Sequence, residues 1–259
     1  MTCALHAEWT KLRTVRGPAW LLAALVTLTV AVSALVTAAA SCPSGTACQG
    51  DPAKLSLTGI QFGQVIVAVL AVLAISSEYS TGMIRVTLTA MPRRTTVLAA
   101  KAALLAGLVL AAAAVAVVGC LLAGRFILPG QGFDPAHGFA LLSLANATVL
   151  RAAGGSVLYL ALIALLSLGI STMVRDSAVA IGIVLALLYL FPIVANVVTN
   201  ETWHRHLEQI GPMTAGLAIQ ATTDLSSLPI SPWAGLGVLA AWAAGALLAG
   251  GILLRLRDA

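Results

Sequence analysis

Six long apolar runs constrain this chain more than any other feature of its sequence. Each run is close to or above the ~20 residues that a helix needs to cross the hydrocarbon core of a bilayer. Only 9% of the 259 residues are charged and 60% are hydrophobic, which leaves too few charges to cover a water-soluble surface. Because the backbone must satisfy its own hydrogen bonds in lipid, the runs predict helices. They lie at about 19–40, 57–76, 97–122, 149–174, 178–198 and 233–254.

These runs predict an all-α, polytopic membrane protein in which residues 1–259 form a single transmembrane domain. Residues 1–18 predict a helix on the membrane surface, because Leu5, Trp9 and Leu12 share one helical face and cations lie around the other. The first apolar run is longer than the 7–15 residues of a signal-peptide core. We therefore expect it to be a retained anchor.

The placement of lysine and arginine predicts how the chain is oriented. If the N-terminus is cytoplasmic, ten of the 14 basic residues fall on the inner side. Cytoplasmic loops carry the excess of lysine and arginine, so both termini are expected inside. The four basic residues on the outer side are then Lys54, Arg125, Arg151 and Arg205.

The segment between the second and third runs, residues 76–94, is polar in an otherwise apolar chain. On a helix, Glu78, Gly82 and Arg85 share one face, and Ile84, Leu88 and Met91 share another, apolar face. Pro92 ends the helical pattern. Chemistry alone leaves two interpretations open: a short helix that lies on lipid, or a helix whose exposed face docks on a soluble partner.

The sequence "SSEYSTGMIRVTLTAMPRRTTVLAAK" resembles the loop after the second span of bacterial ABC-2-type permeases, the membrane subunits of ATP-binding-cassette exporters. Two further stretches are similar to that family: "AEWTKLRTVRGPAW" at 7–20, and "IGPMTAGLAI" at 210–219, which carries a P-x-x-A-G pattern. Many relatives carry basic residues or histidine where this chain has Ser80 and Thr81, so the attraction of this face to an acidic partner stays open. The residues that match the loop pattern are Glu78, Tyr79, Gly82, Ile84, Arg85, Thr87, Leu88, Pro92, Arg93, Arg94 and Lys101.

The resemblance implies a permease subunit that exports an unspecified substrate across the bacterial cytoplasmic membrane. Its loop would be a coupling helix gripped by a separate cytoplasmic ATPase through Glu78, Tyr79, Gly82, Ile84, Arg85, Thr87 and Leu88. No G-x-x-x-x-G-K-[ST] motif occurs in the chain, so ATP and magnesium are expected on that ATPase and no cofactor on this chain. The other expected partners are a second permease copy or a paralogue, to form a dimer, and membrane lipid.

Few polar residues lie within the spans. The resemblance makes Gln61, Gln64 and Asn196 candidates for a substrate path, because the second and fifth spans of such permeases line the centre of the dimer. The alternative for each is a hydrogen bond between helices without a transport role. Gly237, Ala241, Gly245 and Ala249 form a row of small residues that permits close helix packing, or that reflects composition alone.

Other classes of function find little support in the sequence. A stand-alone membrane enzyme needs a polar catalytic cluster, and a secondary carrier usually needs an ionisable residue within a span; neither is seen. His204 and His206 face different sides of a helix, which argues against a metal site, and no basic face predicts nucleic-acid binding. Cys42 and Cys48 share a polar loop, where a disulfide and two reduced thiols are both open.

Overall fold

A computed structural model describes residues 16–40, 50–80, 94–133, 142–143 and 145–256. All regular secondary structure in these residues is helical. The nine α-helices are α1 (Arg16–Ala39), α2 (Pro52–Ser56), α3 (Ile60–Ser80), α4 (Arg94–Ile127), α5 (Ala147–Val174), α6 (Ser177–Val197), α7 (Glu201–Ile210), α8 (Pro212–Leu217) and α9 (Pro232–Leu256). Short 3-10 turns follow α4 and α8.

Five of these helices are long and apolar enough to cross a membrane, namely α1, α4, α5, α6 and α9. The prediction of an all-α, multi-span membrane protein is confirmed. The predicted count of six is not confirmed, because the apolar part of α3, Ile60–Ser76, falls short of span length. The predicted interfacial helix lies almost wholly in residues 1–15, outside the described part.

The second predicted span differs from the structure at its start. The sequence predicts a continuous run from residue 57, whereas α2 ends at Ser56 and α3 begins at Ile60. Backbone hydrogen bonds bridge the break, from Ile60 to Leu57 and from Gln61 to Thr58, both at 3.1 Å. The break therefore changes the helical path without leaving the backbone unpaired.

Close contact with α1 accounts for this local geometry. The amide of Gly59 donates to the hydroxyl of Ser33 at 3.0 Å, and a Cβ at Gly63 would lie 2.5 Å from the hydroxyl oxygen of Thr29. Glycines four apart on one face let two helices approach closely in lipid. The sequence G-I-Q-F-G thus joins the first two membrane elements.

Helix α5 lies at the centre of the bundle. Two thirds of its most apolar window is buried within the protein, 67% against 22–39% for the other four long helices. It packs on α3, α4, α6 and α9. Gly169 allows a close approach of α5 to α9, because a Cβ there would lie 2.5 Å from the backbone carbonyl carbon of Ala246 in α9.

Helices α5 and α6 form a tight antiparallel hairpin. Arg175 adopts a left-handed conformation, with φ of 64°, at the end of α5. The carboxylate of Asp176 then accepts a hydrogen bond from the amide of Val179 at 2.8 Å and so caps α6. This turn defines one end of the bundle. The opposite end carries Asp51, Arg151 and Thr222, and is called the Asp51 end below.

Candidate functional site

A buried polar cluster lies within the helical bundle and centres on Gln64 of α3. Gln64 and Tyr159 of α5 are both fully buried. The hydroxyl of Tyr159 donates to Oε1 of Gln64. Nε2 of Gln64 donates to the hydroxyl of Tyr189 in α6 at 3.2 Å and to Sδ of Met213 in α8 at 3.3 Å. We call these four residues the Gln64 node.

The node ties α3 to α6 at a second point. The hydroxyl of Tyr189 donates to the backbone carbonyl of Gln61 at 3.0 Å, so the same tyrosine contacts α3 at two positions about one turn apart. Every polar atom of the Gln64 amide has a partner. In a low-dielectric interior such a satisfied network rigidifies the packing around it, because breaking any bond leaves a buried polar group unpaired.

The P-x-x-A-G segment closes the node. Pro212 begins α8, and Met213 from this helix supplies the thioether that faces Gln64. Gly216 lies against the ring of Tyr159, where a Cβ would come within 2.7 Å of a ring carbon. Only glycine fits that contact without displacement. The pattern noted in the sequence thus supplies both a close contact for the ring of Tyr159 and a partner for the buried amide.

The three candidate path residues occupy different environments. Gln64 is fully buried with its amide engaged. The side chain of Gln61 is half-buried, and Asn196 is exposed near the end of α6. The structure brings Gln61 and Gln64 together through Tyr189 and leaves Asn196 outside the node.

The candidate coupling residues lie mostly outside the described part of the chain. Helix α3 runs as one helix to Ser80, so the backbone of Glu78 and Tyr79 belongs to its last turn. The other five coupling residues fall in 81–93, outside the described residues, as do Cys42 and Cys48. They are Gly82, Ile84, Arg85, Thr87 and Leu88.

A second polar cluster clamps the Asp51 end. The carboxylate of Asp51 caps α2 by accepting from the amides of Ala53 and Lys54, both at 3.1 Å. It also accepts from the amide and the hydroxyl of Thr222, the latter at 2.6 Å, and from the amide of Thr223 at 3.1 Å. One carboxylate therefore joins the start of α2 to the segment that precedes α9.

Arg151 holds the same segment from the other side. Its Nη2 donates to the carbonyl of Ala221 at 2.6 Å. Its Nε is buried and has no hydrogen-bond partner in the described structure. Ala221 and Thr222 are therefore fixed between a cation on α5 and an anion at the start of α2.

The histidine-containing segment forms the short helix α7. Nε2 of His204 lies 3.4 Å from Oε1 of Glu208, and Nη2 of Arg205 lies 2.6 Å from Oε1 of Glu201. The other ring nitrogen of His204, Nδ1, lies 2.9 Å from the carbonyl oxygen of Ala195. No group of three or more metal-binding side chains occurs in the described part of the chain.

The row of small residues on α9 faces open space in the described part of the chain. Gly237, Ala241 and Gly245 are exposed, and a Cβ at either glycine would have nothing within 4 Å. Ala241, Gly245 and Ala249 line an apolar groove of about 680 Å³ between α5, α6 and α9. Within the described part of this chain, the row is therefore not a helix-packing face.

Tyr159, Tyr189 and Met213 were not expected at the site from the sequence. The chain has three tyrosines, and two of them interrupt otherwise apolar spans. A buried tyrosine in lipid needs a partner for its hydroxyl. That requirement could have paired them with the two glutamines of α3.

These features define the class of protein. Several apolar helices pack around a central helix, and the buried polar groups are satisfied between helices, as expected of a multi-pass membrane protein whose solvent is lipid.

The family follows from comparison with known proteins. Residues 4–193 match the family model of the ABC-2 family transporter proteins, and the chain belongs to that family. Its members are the membrane permease subunits of ABC transporters. A search of curated proteins found no significant match.

Proposed function

We propose that this chain is the permease subunit of an ATP-driven exporter and that a separate ATPase moves it through residues 78–94. Family membership supports the permease role. The chain has no phosphate-binding loop of its own, so ATP and magnesium are assigned to the ATPase. This chain supplies the substrate path and the segment, residues 78–94, on which the ATPase acts.

In this proposal the chain crosses the bacterial cytoplasmic membrane six times, with α3 as the second crossing in chain order and both termini in the cytoplasm. The excess of basic residues on one side supports that orientation. Together α2, the bridged break and α3 run from Pro52 to Ser80. The Asp51 end then faces outward, and the segment after Ser80 faces the ATPase.

The continuity of α3 is the observation that carries the coupling mechanism. Gln64 and Ser80 lie on one helix and are sixteen residues apart, which is about 24 Å at 1.5 Å per residue. A force on Glu78 and the residues beyond it is transmitted along this rigid element. The Gln64 node bonds the far part of α3 to α5, α6 and α8.

Closure of the ATPases would therefore tilt α3 about the node and shift the bundle between two arrangements. ATP can drive this change only to the extent that the ATPase binds one arrangement more tightly than the other. A second permease copy or a paralogue completes the path. Because the amide of Gln64 is fully engaged, contact with substrate falls to Gln61 and Asn196.

The test reconstitutes the permease with its ATPase in lipid nanodiscs and measures permease-dependent ATP hydrolysis. Gly82→Trp and Glu78→Lys are expected to abolish the stimulation by the permease, since each alters the gripped face, while membrane insertion is unchanged. Gly107→Trp and Glu201→Lys are the matched controls. Gly107 is exposed on α4 with open space around it, and Glu201 is an exposed acid of α7.

Normal stimulation by both coupling variants, at normal protein levels, would contradict the coupling role. Loss of stimulation in the control variants as well would also count against it, because the effect would then not be specific to residues 78–94.

A further inference from the structure

A groove between α5 and α9 opens at the Asp51 end of the bundle. Its volume is about 590 Å³, and its lining is apolar apart from Arg151 of α5 and Trp233 of α9. Leu150, Gly154 and Leu158 form the α5 side of the groove. The polar side chains therefore lie at one end of the groove, and its apolar surface continues from there along α5.

The length of α5 places Arg151 at the edge of the hydrocarbon. The helix has 28 residues, which is about 42 Å at 1.5 Å per residue, whereas the hydrocarbon core is about 30 Å thick. With α5 centred on the bilayer, about ten residues on either side of its midpoint would fill the core, which would put Arg151 at that boundary. Trp233 is the second residue of α9 and is 60% exposed, as interfacial tryptophans are.

The charge of Arg151 is only partly satisfied within the protein. Its hydrogen bond goes to a neutral carbonyl, that of Ala221, and its buried Nε has no partner. Among the described residues no carboxylate forms a salt bridge with it. Asp51 holds the same segment from the other side, but its oxygens accept from the backbone amides of α2, from the amide and hydroxyl of Thr222 and from the amide of Thr223.

A guanidinium nitrogen that is buried without a hydrogen-bond partner costs free energy, and an anion at the headgroup level would supply that partner. Its planar fork matches a phosphate, which can accept two hydrogen bonds at once. Gly154 lies one turn deeper, and a Cβ there would meet nothing within 4 Å, so the groove has room for a chain beside α5.

We propose that this groove binds one anionic phospholipid. The headgroup phosphate lies against the guanidinium of Arg151, the glycerol region lies at the level of Trp233, and an acyl chain follows the groove past Gly154 and Leu158. The proposal requires only that the chain is inserted in a membrane, and it does not depend on the coupling mechanism above.

The other groove, between α5, α6 and α9, lacks the feature that identifies an occupant. Its lining contains no charged side chain, so nothing there orients a headgroup. The groove at Arg151 combines a cation, an interfacial aromatic ring and an open apolar surface, and this combination selects a phospholipid.

The test is native mass spectrometry of the detergent-purified chain with added phosphatidylglycerol, compared with phosphatidylcholine of the same acyl chains. The wild-type chain is expected to retain phosphatidylglycerol. Arg151→Gln removes the cation, and Gly154→Leu fills the apolar part of the groove. Each is expected to lower the bound fraction by about tenfold or more.

Two variants serve as controls: Arg205→Gln on α7 and Gly182→Leu on α6. Arg205 is an exposed arginine with a salt bridge of its own, and Gly182 is an exposed helix glycine with open space around it. Both are expected to retain phosphatidylglycerol within about twofold of wild type. Circular dichroism checks that each variant is folded. If Arg151→Gln is not folded, Gly154→Leu decides the outcome alone.

Three results would overturn the proposal. Equal retention of phosphatidylcholine would remove the role of the anionic headgroup. Unchanged binding in Gly154→Leu would place the acyl chain elsewhere. Binding of inorganic phosphate as tightly as phosphatidylglycerol would show a site for a phosphate ion and not for a lipid.

Discussion

Replacement of Gln64 by leucine should expose the energetic role of the buried node. Leucine keeps about the same volume and removes one acceptor and the amide donors. The change leaves the hydroxyl of Tyr159 in a fully buried position without its acceptor. Tyr189 keeps its bond to the carbonyl of Gln61, so the main loss falls on Tyr159.

The magnitude follows from the cost of one unsatisfied buried group. Such a group costs about 1–3 kcal/mol, and we expect Gln64→Leu to lower the free energy of unfolding by that amount. Interhelical hydrogen bonds in membrane proteins contribute about 0.6 kcal/mol on average and up to about 1.7, which is the loss expected for Tyr159→Phe. The double variant removes both partners, so its loss should be smaller than the sum of the two by about 1 kcal/mol.

The assay is reversible unfolding in mixed micelles, followed by circular dichroism across the four members of this double-mutant cycle. Asn196→Leu, at an exposed position of α6, is the control and should change stability by less than about 0.5 kcal/mol. Additive losses within about 0.3 kcal/mol would refute the reasoning, because they would show that Gln64 and Tyr159 do not interact.

Three further substitutions, at the Asp51 end, at the α5–α9 contact and at the α6 cap, are tested by the same unfolding measurement. Asp51→Asn should lower the free energy of unfolding by about 1.5–3 kcal/mol, because hydrogen bonds to the charged carboxylate are lost. The control, Asp224→Asn at an exposed turn, should be nearly neutral. Equal effects of the two changes would argue against a stabilising role for the hydrogen bonds of Asp51. Gly169→Ala should lower the free energy of unfolding by about 1–3 kcal/mol through overpacking against α9. Gly182→Ala should raise it by up to about 1 kcal/mol, because alanine has the higher helix propensity. An increase in stability for Gly169→Ala would disprove the close contact. Asp176→Ala should cost about 1 kcal/mol from loss of the α6 cap, and no change would show that the cap contributes nothing.

The sequence predicts the helices of this protein well because lipid imposes a simple rule. A run of about twenty apolar residues must form its own hydrogen bonds, so its secondary structure is fixed before any packing is known. Asp51 followed by Pro52 is likewise a local signal for a helix start. Both features depend only on neighbours along the chain.

The contacts of the candidate site depend on which face of each helix turns inward. Lipid and protein interior are both apolar, so the spans show no strong contrast between their faces and the sequence does not fix their rotation. The pairing of Gln64 with Tyr159, 95 residues away, and of Asp51 with Thr222, 171 residues away, follows from tertiary packing alone. The break at Leu57–Gly59 has the same origin, because it reflects the close approach of α1.

The most direct test of the coupling proposal is the accessibility of residue 80, at the end of α3. In a variant with its four native cysteines replaced, Ser80→Cys is treated with a membrane-impermeant maleimide in intact cells and in inverted membrane vesicles. A cytoplasmic end of α3 should be labelled in the vesicles alone, and should be protected when the ATPase subunit is bound. Labelling in intact cells would place this end of α3 on the outer side of the membrane and contradict the coupling of this permease to a cytoplasmic ATPase.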